Sequence, residues 1–243
     1  MLTKEIENIL KEIFSTSNSG VNTSELKAPS FEEAIEFAQL VIANSNEEQF
    51  QKFLERNPHF IIRSTQFGND AVLGVVFKPP IGNFHNADFA IVRVGQGAPS
   101  ITLIEIESPL DNLFTKKLTF AKKLQNAKGQ VDDWKEWIKV NNDAFTNSTL
   151  ELLCRTKLHS QSNHQRGLRF RDDNEIRNAW SAFGGNDYCF INYLIIIGRW
   201  SKLTSKEQKR LLLINGEREL NGVQIRTFDQ VIRSAFDGPR ILG

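Results

Sequence analysis

The 243-residue chain contains only two cysteines, Cys154 and Cys189, and they share no metal-ligand spacing. Two are too few for a disulfide scaffold, which excludes a small cross-linked secreted domain and makes a reducing compartment the default. Long apolar runs are also missing. The longest, Tyr193-Leu194-Ile195-Ile196-Ile197, falls far short of the ~20 residues that span a bilayer. The start, Met1-Leu2-Thr3-Lys4-Glu5, is amphipathic and lacks the apolar core of a signal peptide. A cytoplasmic location with no membrane partner is therefore expected. Nor does charge of one sign dominate. Thirty Lys and Arg stand against 29 Asp and Glu, a balance that neither advertises nor excludes nucleic acid, because a local groove can be basic inside a neutral whole. There is no Gly-x-Gly-x-x-Gly, no Gly-Lys-Ser phosphate loop, no Gly-x-Ser-x-Gly elbow and no internal repeat. His159 and His164 have no cysteine or acid at ligand spacing, so zinc is not expected.

What is present is ordinary for a globular protein: 40% hydrophobic and 24% charged residues. The patterning predicts an α/β fold, a mixed sheet flanked by helices. Residues 3–14 read as an amphipathic helix with Ile6, Ile9, Leu10 and Ile13 on one stripe, followed by a polar linker over 15–24. Ser30 with Glu33 and Ser45 with Glu48 are capping-box signatures for two further helices, the second stopped by Asn57-Pro58. Residues 1–44 are accordingly expected to form a helical accessory region and 45–243 the main domain. Strands are expected at 60–62, 72–77, 88–94, 101–107, 150–155, 189–197 and 223–226. Phe120, Leu124, Ala127, Val131, Trp134 and Ile138 alternate steps of four and three, so they share the buried stripe of a long helix. Gly129 inside that helix suggests a break or a close backbone approach. Helices are also expected at 203–214 and 228–236. The stretch 155–171 carries Lys157, Arg166 and Arg169 and no acid, which reads either as a phosphate-contacting loop or as a solvated basic one.

The chemistry concentrates in Ser100-Ile101-Thr102-Leu103-Ile104-Glu105-Ile106-Glu107-Ser108-Pro109. This is a buried-strand pattern with two carboxylates near its end. Side chains alternate along a strand, so Glu105 and Glu107 point the same way, roughly 7 Å apart. The turn chemistry of 95–99 pairs this strand with 88–94 in a hairpin, which brings Asp88 beside the two glutamates. Three carboxylates on adjacent strands make an oxygen-only cluster suited to Mg²⁺ or Mn²⁺. The plain alternative is a surface-facing acid pair at a strand tip.

An Asp followed one hairpin later by Glu-x-Lys is the core of the PD-(D/E)XK nucleases, and the chain more specifically resembles the Shedu anti-phage nuclease family. The resemblance is carried by Phe53-Leu54-Glu55-Arg56-Asn57-Pro58, Asp88-Phe89, Glu105-Ile106-Glu107-Ser108-Pro109, Gln130-Val131-Asp132-Asp133-Trp134, Ile196-Ile197-Gly198-Arg199 and Thr227-Phe228-Asp229, in that order. One departure matters: Glu107 stands where the family pattern has Lys. The resemblance implies a restriction-endonuclease-like fold, a Mg²⁺-dependent DNA endonuclease in phage defence, and a homo-oligomer. It implies that Asp88, Glu105 and the Ile106 carbonyl hold the metal and that Gln130 steadies the site or a phosphate. Gln130 as a helix-border amide in water is the competing reading. Glu107 is then a ligand for a second metal or a general base. Lys157 or Lys123 is a candidate for the missing cation, and Glu48 or Glu55 for a further acid. The rival expectation is a nuclease-fold protein that has lost catalysis and binds nucleic acid or a protein partner.

Overall fold

The computed structural model describes residues 4–14, 29–43, 45–65, 71–83, 85–95, 98–155, 172–185, 188–216 and 222–237. Four helices come first: α1 (Lys4–Phe14), α2 (Phe31–Ile42), α3 (Glu47–Arg56) and α4 (His59–Ser64). Strand β1 (Ala71–Phe77) leads through a two-residue ribbon, β2 (Pro80–Ile81) with β3 (His85–Asn86), to β4 (Phe89–Val94) and β5 (Ser100–Ile106). Helices α5 (Lys122–Arg155) and α6 (Asp173–Ala182) cross to β6 (Phe190–Ile196). A 3₁₀ turn (Trp200–Lys202) and α7 (Ser205–Gly216) then cross to β7 (Val223–Arg226), and α8 (Phe228–Asp237) follows.

The sheet order is β1-β4-β5-β6-β7. β1, β4 and β5 run antiparallel, joined by short connections, whereas β5, β6 and β7 run parallel. Parallel neighbours require long crossovers, and the helices after β5 and β6 supply them. Both faces of the sheet are covered. Leu103, Val92 and Ile195 pack with the α5 stripe of Leu124, Ala127, Val131, Trp134 and Ile138. Ile104, Ile106 and Ile196 pack with residues of α1 to α4 and α8. Trp134 is fully buried, and cutting it to Ala is expected to cost about 3–5 kcal/mol.

Several expectations needed correction. Residues 60–62 are helical, inside α4, whose six residues are all buried; a short apolar run buried on every side has no periodicity to distinguish helix from strand. Residues 150–155 end α5, with Leu150, Leu153 and Cys154 buried at helical spacing. The capping box of α3 is Asn46 with Gln49, because the N–H of Ser45 is used by Leu40 at the end of α2. Gly129 neither breaks α5 nor meets another backbone, since a Cβ there would touch nothing within 4 Å. The irregularity lies at Asn141, whose φ is −121° and whose side-chain amide donates to the Trp137 carbonyl. The apolar run of 189–197 reads as a fully buried strand, yet only the second half of β6 is buried. The Ser/Asn linker and almost all of the basic stretch, with Lys157, His159 and His164, lie outside the described residues.

Candidate active site

The C-terminal ends of the parallel strands carry the chemistry. Asp88 precedes β4, and its backbone N–H donates to the Ile104 carbonyl at 3.0 Å, which extends the hairpin ladder to the acid itself. Asp88 Oδ2 accepts the backbone N–H of Ile106 at 2.8 Å, and Oδ1 accepts Lys78 Nζ at 3.1 Å. Glu105 shares the sheet face of Leu103, as the alternation requires. Glu107, 8% exposed, lies just beyond β5. Its N–H donates to the Ile196 carbonyl at 2.9 Å, and its Oε2 accepts Lys123 Nζ at 3.2 Å.

The electrostatics confirm that these carboxylates feel one another. Burial pushes the Glu105 carboxyl up to about 9, with Asp88, Glu107 and Glu47 adding to the effect. Glu107 is raised by burial, against the pull of Lys123. Glu47 is raised by burial and then by Glu107 and Asp88. Glu47 is the acid that sequence reasoning missed. The signal was available: Glu47, Phe50, Gln51 and Leu54 fall at helical spacing on one stripe of α3, and the last three are buried. Glu48 instead pairs with Lys52 at 2.7 Å, both side chains well exposed. Glu55 is not among the groups that shift Glu105 or Glu107. Lys78 was also missed, being the residue after an ordinary apolar strand.

Lys123 reaches the site from the first turn of α5, as one of the two lysines considered for the missing cation. Gln130 is half-buried on the same helix, and no side-chain hydrogen bond ties it to an acid or to another of the described residues. It lies seven residues beyond Lys123, roughly 10 Å along the helix.

Among the described residues no three His, Cys, Asp or Glu side chains stand as a ready-made chelating group. The donor chemistry nevertheless fits a hard divalent cation. Asp88, Glu105, Glu107 and Glu47 present only oxygen, and these acids outnumber the lysines paired with them. The upward shift of the Glu105 carboxyl owes most to its burial, and the neighbouring acids add to it.

Pieces far apart in sequence converge beside this site. Gly198 N–H donates to the Ser108 carbonyl at 3.1 Å, and Phe228 N–H to the Gly198 carbonyl at 3.0 Å, which laces together the chain beyond β5, β6 and β7. Arg199 Nε and Asp229 Oδ1 form a largely buried ion pair at 2.9 Å. The Phe228 ring stacks on Phe37 and packs against Phe50. Gly198 must be glycine: its φ is +62°, and a Cβ would stand 2.7 Å from the Asp111 carbonyl oxygen and 2.4 Å from Leu113 Cδ1. The negative charge of Asp111 in turn helps to raise the Glu107 carboxyl. No helix among the described residues is long and apolar enough to cross a membrane. No curated protein matches the chain significantly. Residues 44–232, which include all of these converging segments except Phe37 of α2, match the family model for the C-terminal region of Shedu protein SduA, and the chain belongs to that family.

Proposed function

We propose that the chain is a divalent-metal-dependent DNA endonuclease, acting in the cytoplasm as a homo-oligomer. Family membership suggests a role in anti-phage defence. The observation that carries the reading is the gathering of Asp88, Glu105 and Glu107 at one end of the sheet, joined by Glu47 and two lysines. Asp88, Glu105 and the carbonyl of Ile106 would hold Mg²⁺ or Mn²⁺, with Glu107 as a further oxygen donor. When bound, such an ion acidifies a water and neutralises charge on the phosphate.

The chain's own residues divide the remaining tasks. The Ile106 N–H fixes the Asp88 carboxylate through Oδ2 and leaves Oδ1 to Lys78. Glu105 holds a proton that it must surrender before it can ligate a cation. Lys123 neutralises Glu107. Gln130, on the helix that covers this face, is proposed to steady a substrate phosphate, in keeping with the family resemblance.

The second reading, a nuclease-fold protein without catalysis, is favoured by one observation. Glu107 replaces the expected Lys, and its partner Lys123 is engaged with it. Nicking of supercoiled plasmid by the full chain in Mg²⁺ or Mn²⁺, against an EDTA control, separates the two. Metal-dependent nicking supports the enzyme, and tight DNA binding without cleavage supports the alternative.

A further inference from the structure

We propose that Lys78, gripped by Gln51, is the cation this site presents to a substrate phosphate in place of the Lys absent from position 107. Gln51 is its positioning residue. The inference rests on the nuclease reading above.

Three observations on Lys78 agree. Its backbone has φ +49°, a left-handed conformation that residues other than Gly seldom adopt and that tends to persist where the surroundings enforce it. Its N–H donates to the Asp88 carbonyl at 3.0 Å, so the residue is indexed to the acid by the main chain. Its ammonium lies 3.0 Å from Gln51 Oε1 and 3.1 Å from Asp88 Oδ1. The side chain is still 54% exposed, so the charge is reachable from solvent.

Gln51 supplies the fourth observation. It is 7% exposed, and its Nε2 is buried with no hydrogen-bond partner. Buried donors are almost always satisfied. The amide therefore orients its carbonyl toward Lys78 at the expense of its own N–H, as expected of a residue placed to hold that ammonium. Glu47 and Gln51, four residues apart on the inner stripe of α3, thus deliver an acid and a lysine holder to the same site.

Lys123 does not have this support. Among the described residues its ammonium is hydrogen-bonded to Glu107 alone, and it comes from an exposed first helical turn. Lys78 has a neutral holder besides Asp88, so it keeps its place when the Asp88 carboxylate turns to another partner. A lysine on that holder stands beside the acids proposed to hold the metal, where it could stabilise charge developing on a phosphate brought to them.

The test uses the full chain with Lys78→Met, Lys78→Arg, Gln51→Met and the Lys78→Met/Gln51→Met double variant. Turnover on plasmid is measured in Mn²⁺, and Mn²⁺ affinity by calorimetry. Affinity for a short duplex is measured in EDTA across a salt series. Lys78→Met is expected to lower turnover about a hundredfold and to reduce the salt slope of duplex binding by about one. It should leave Mn²⁺ binding as tight or tighter, since a cation competing for Asp88 is gone. Lys78→Arg should retain the slope. Gln51→Met should lower turnover about tenfold, and the double variant should be no slower than Lys78→Met, because the amide acts through the lysine. Parental turnover in Lys78→Met, an unchanged salt slope, or Mn²⁺ affinity that falls in step with turnover overturns the Lys78 assignment. Additive losses overturn the positioning role of Gln51. If the parent does not cut, the nuclease reading fails and takes this assignment with it. If the parent cuts and Lys78→Met cuts equally well, only the assignment fails.

Discussion

The Oδ2 of Asp88 accepts the backbone N–H of Ile106 at 2.8 Å, so the acid that opens β4 also buckles the end of β5. A candidate metal ligand is therefore part of the fold's framework. Replacing it with Ala leaves a buried N–H unpaired and should cost about 1–3 kcal/mol. Asp88→Asn keeps a carbonyl acceptor and should stay within about 1 kcal/mol of the parent. Urea unfolding of the two variants checks this, and equal stabilities would mean the bond contributes little.

The Glu105 carboxyl carries a pH dependence whose sign is fixed. In the folded chain it keeps its proton to about pH 9, whereas its ordinary value is 4.5. Between those values the folded state holds the extra proton, so stability falls as pH rises through the window and the penalty is complete above it. Asp88, Glu107 and Glu47 sharpen the effect and Lys78 opposes it. In EDTA, Glu105→Gln should be as stable as the parent near pH 5 and more stable by a few kcal/mol near pH 9. Thermal melts across that range measure it; a difference that does not grow with pH contradicts the burial of this charge.

Glu107 and Lys123 form the pair most directly altered by restoring the family's Lys. Glu107→Lys sets two ammonium groups against each other where Lys123 Nζ now lies 3.2 Å from a carboxylate. The change should cost about 1 kcal/mol or more, the exposure of Lys123 limiting the loss. Reversing the pair with Glu107→Lys/Lys123→Glu should recover most of that stability. A double-mutant cycle reads the coupling directly, and a coupling of zero would mean the pair is incidental.

Gly198→Ala should be among the most damaging small substitutions near the site. The left-handed φ and the 2.7 Å approach to the Asp111 carbonyl leave no room for a methyl group. A loss of about 2 kcal/mol or more is expected. Because the charge of Asp111 acts on Glu107, cleavage per folded molecule should fall as well. Parental stability would contradict the close packing of the chain beyond β5 against that beyond β6.

Much of the fold could be read from spacing. The α5 stripe from Leu124 to Ile138, the β4–β5 hairpin and the Ser30–Glu33 capping box all follow from short-range rules, and each is present; Phe120, expected on that stripe, instead lies before α5 and bridges Phe114. Misreadings occurred where local pattern carries no information. The run Phe60-Ile61-Ile62 is buried on all sides, so apolar residues there look the same in a helix or a strand. The three acids of the hairpin were visible because strand alternation and antiparallel register determine their faces. Lys78 and Gln51 were not, because their meeting depends on how α3 lies against the sheet, a tertiary relationship without a sequence period. Glu47 falls between these cases: its stripe was readable, but the neighbouring Glu48 offered an equally acidic and wrong choice.

The central claim is that these carboxylates cut DNA with a divalent metal, and Glu105→Gln tests it most directly, because the substitution should remove a ligand without harming the fold. The measurement is nicking of supercoiled plasmid by parent and Glu105→Gln proteins in Mg²⁺ and in Mn²⁺, each with an EDTA control and a thermal melt. The account predicts metal-dependent nicking by the parent, and a folded Glu105→Gln protein with turnover reduced about a hundredfold or more. A folded Glu105→Gln protein that nicks as fast as the parent, or a parent inactive in both metals, would contradict it.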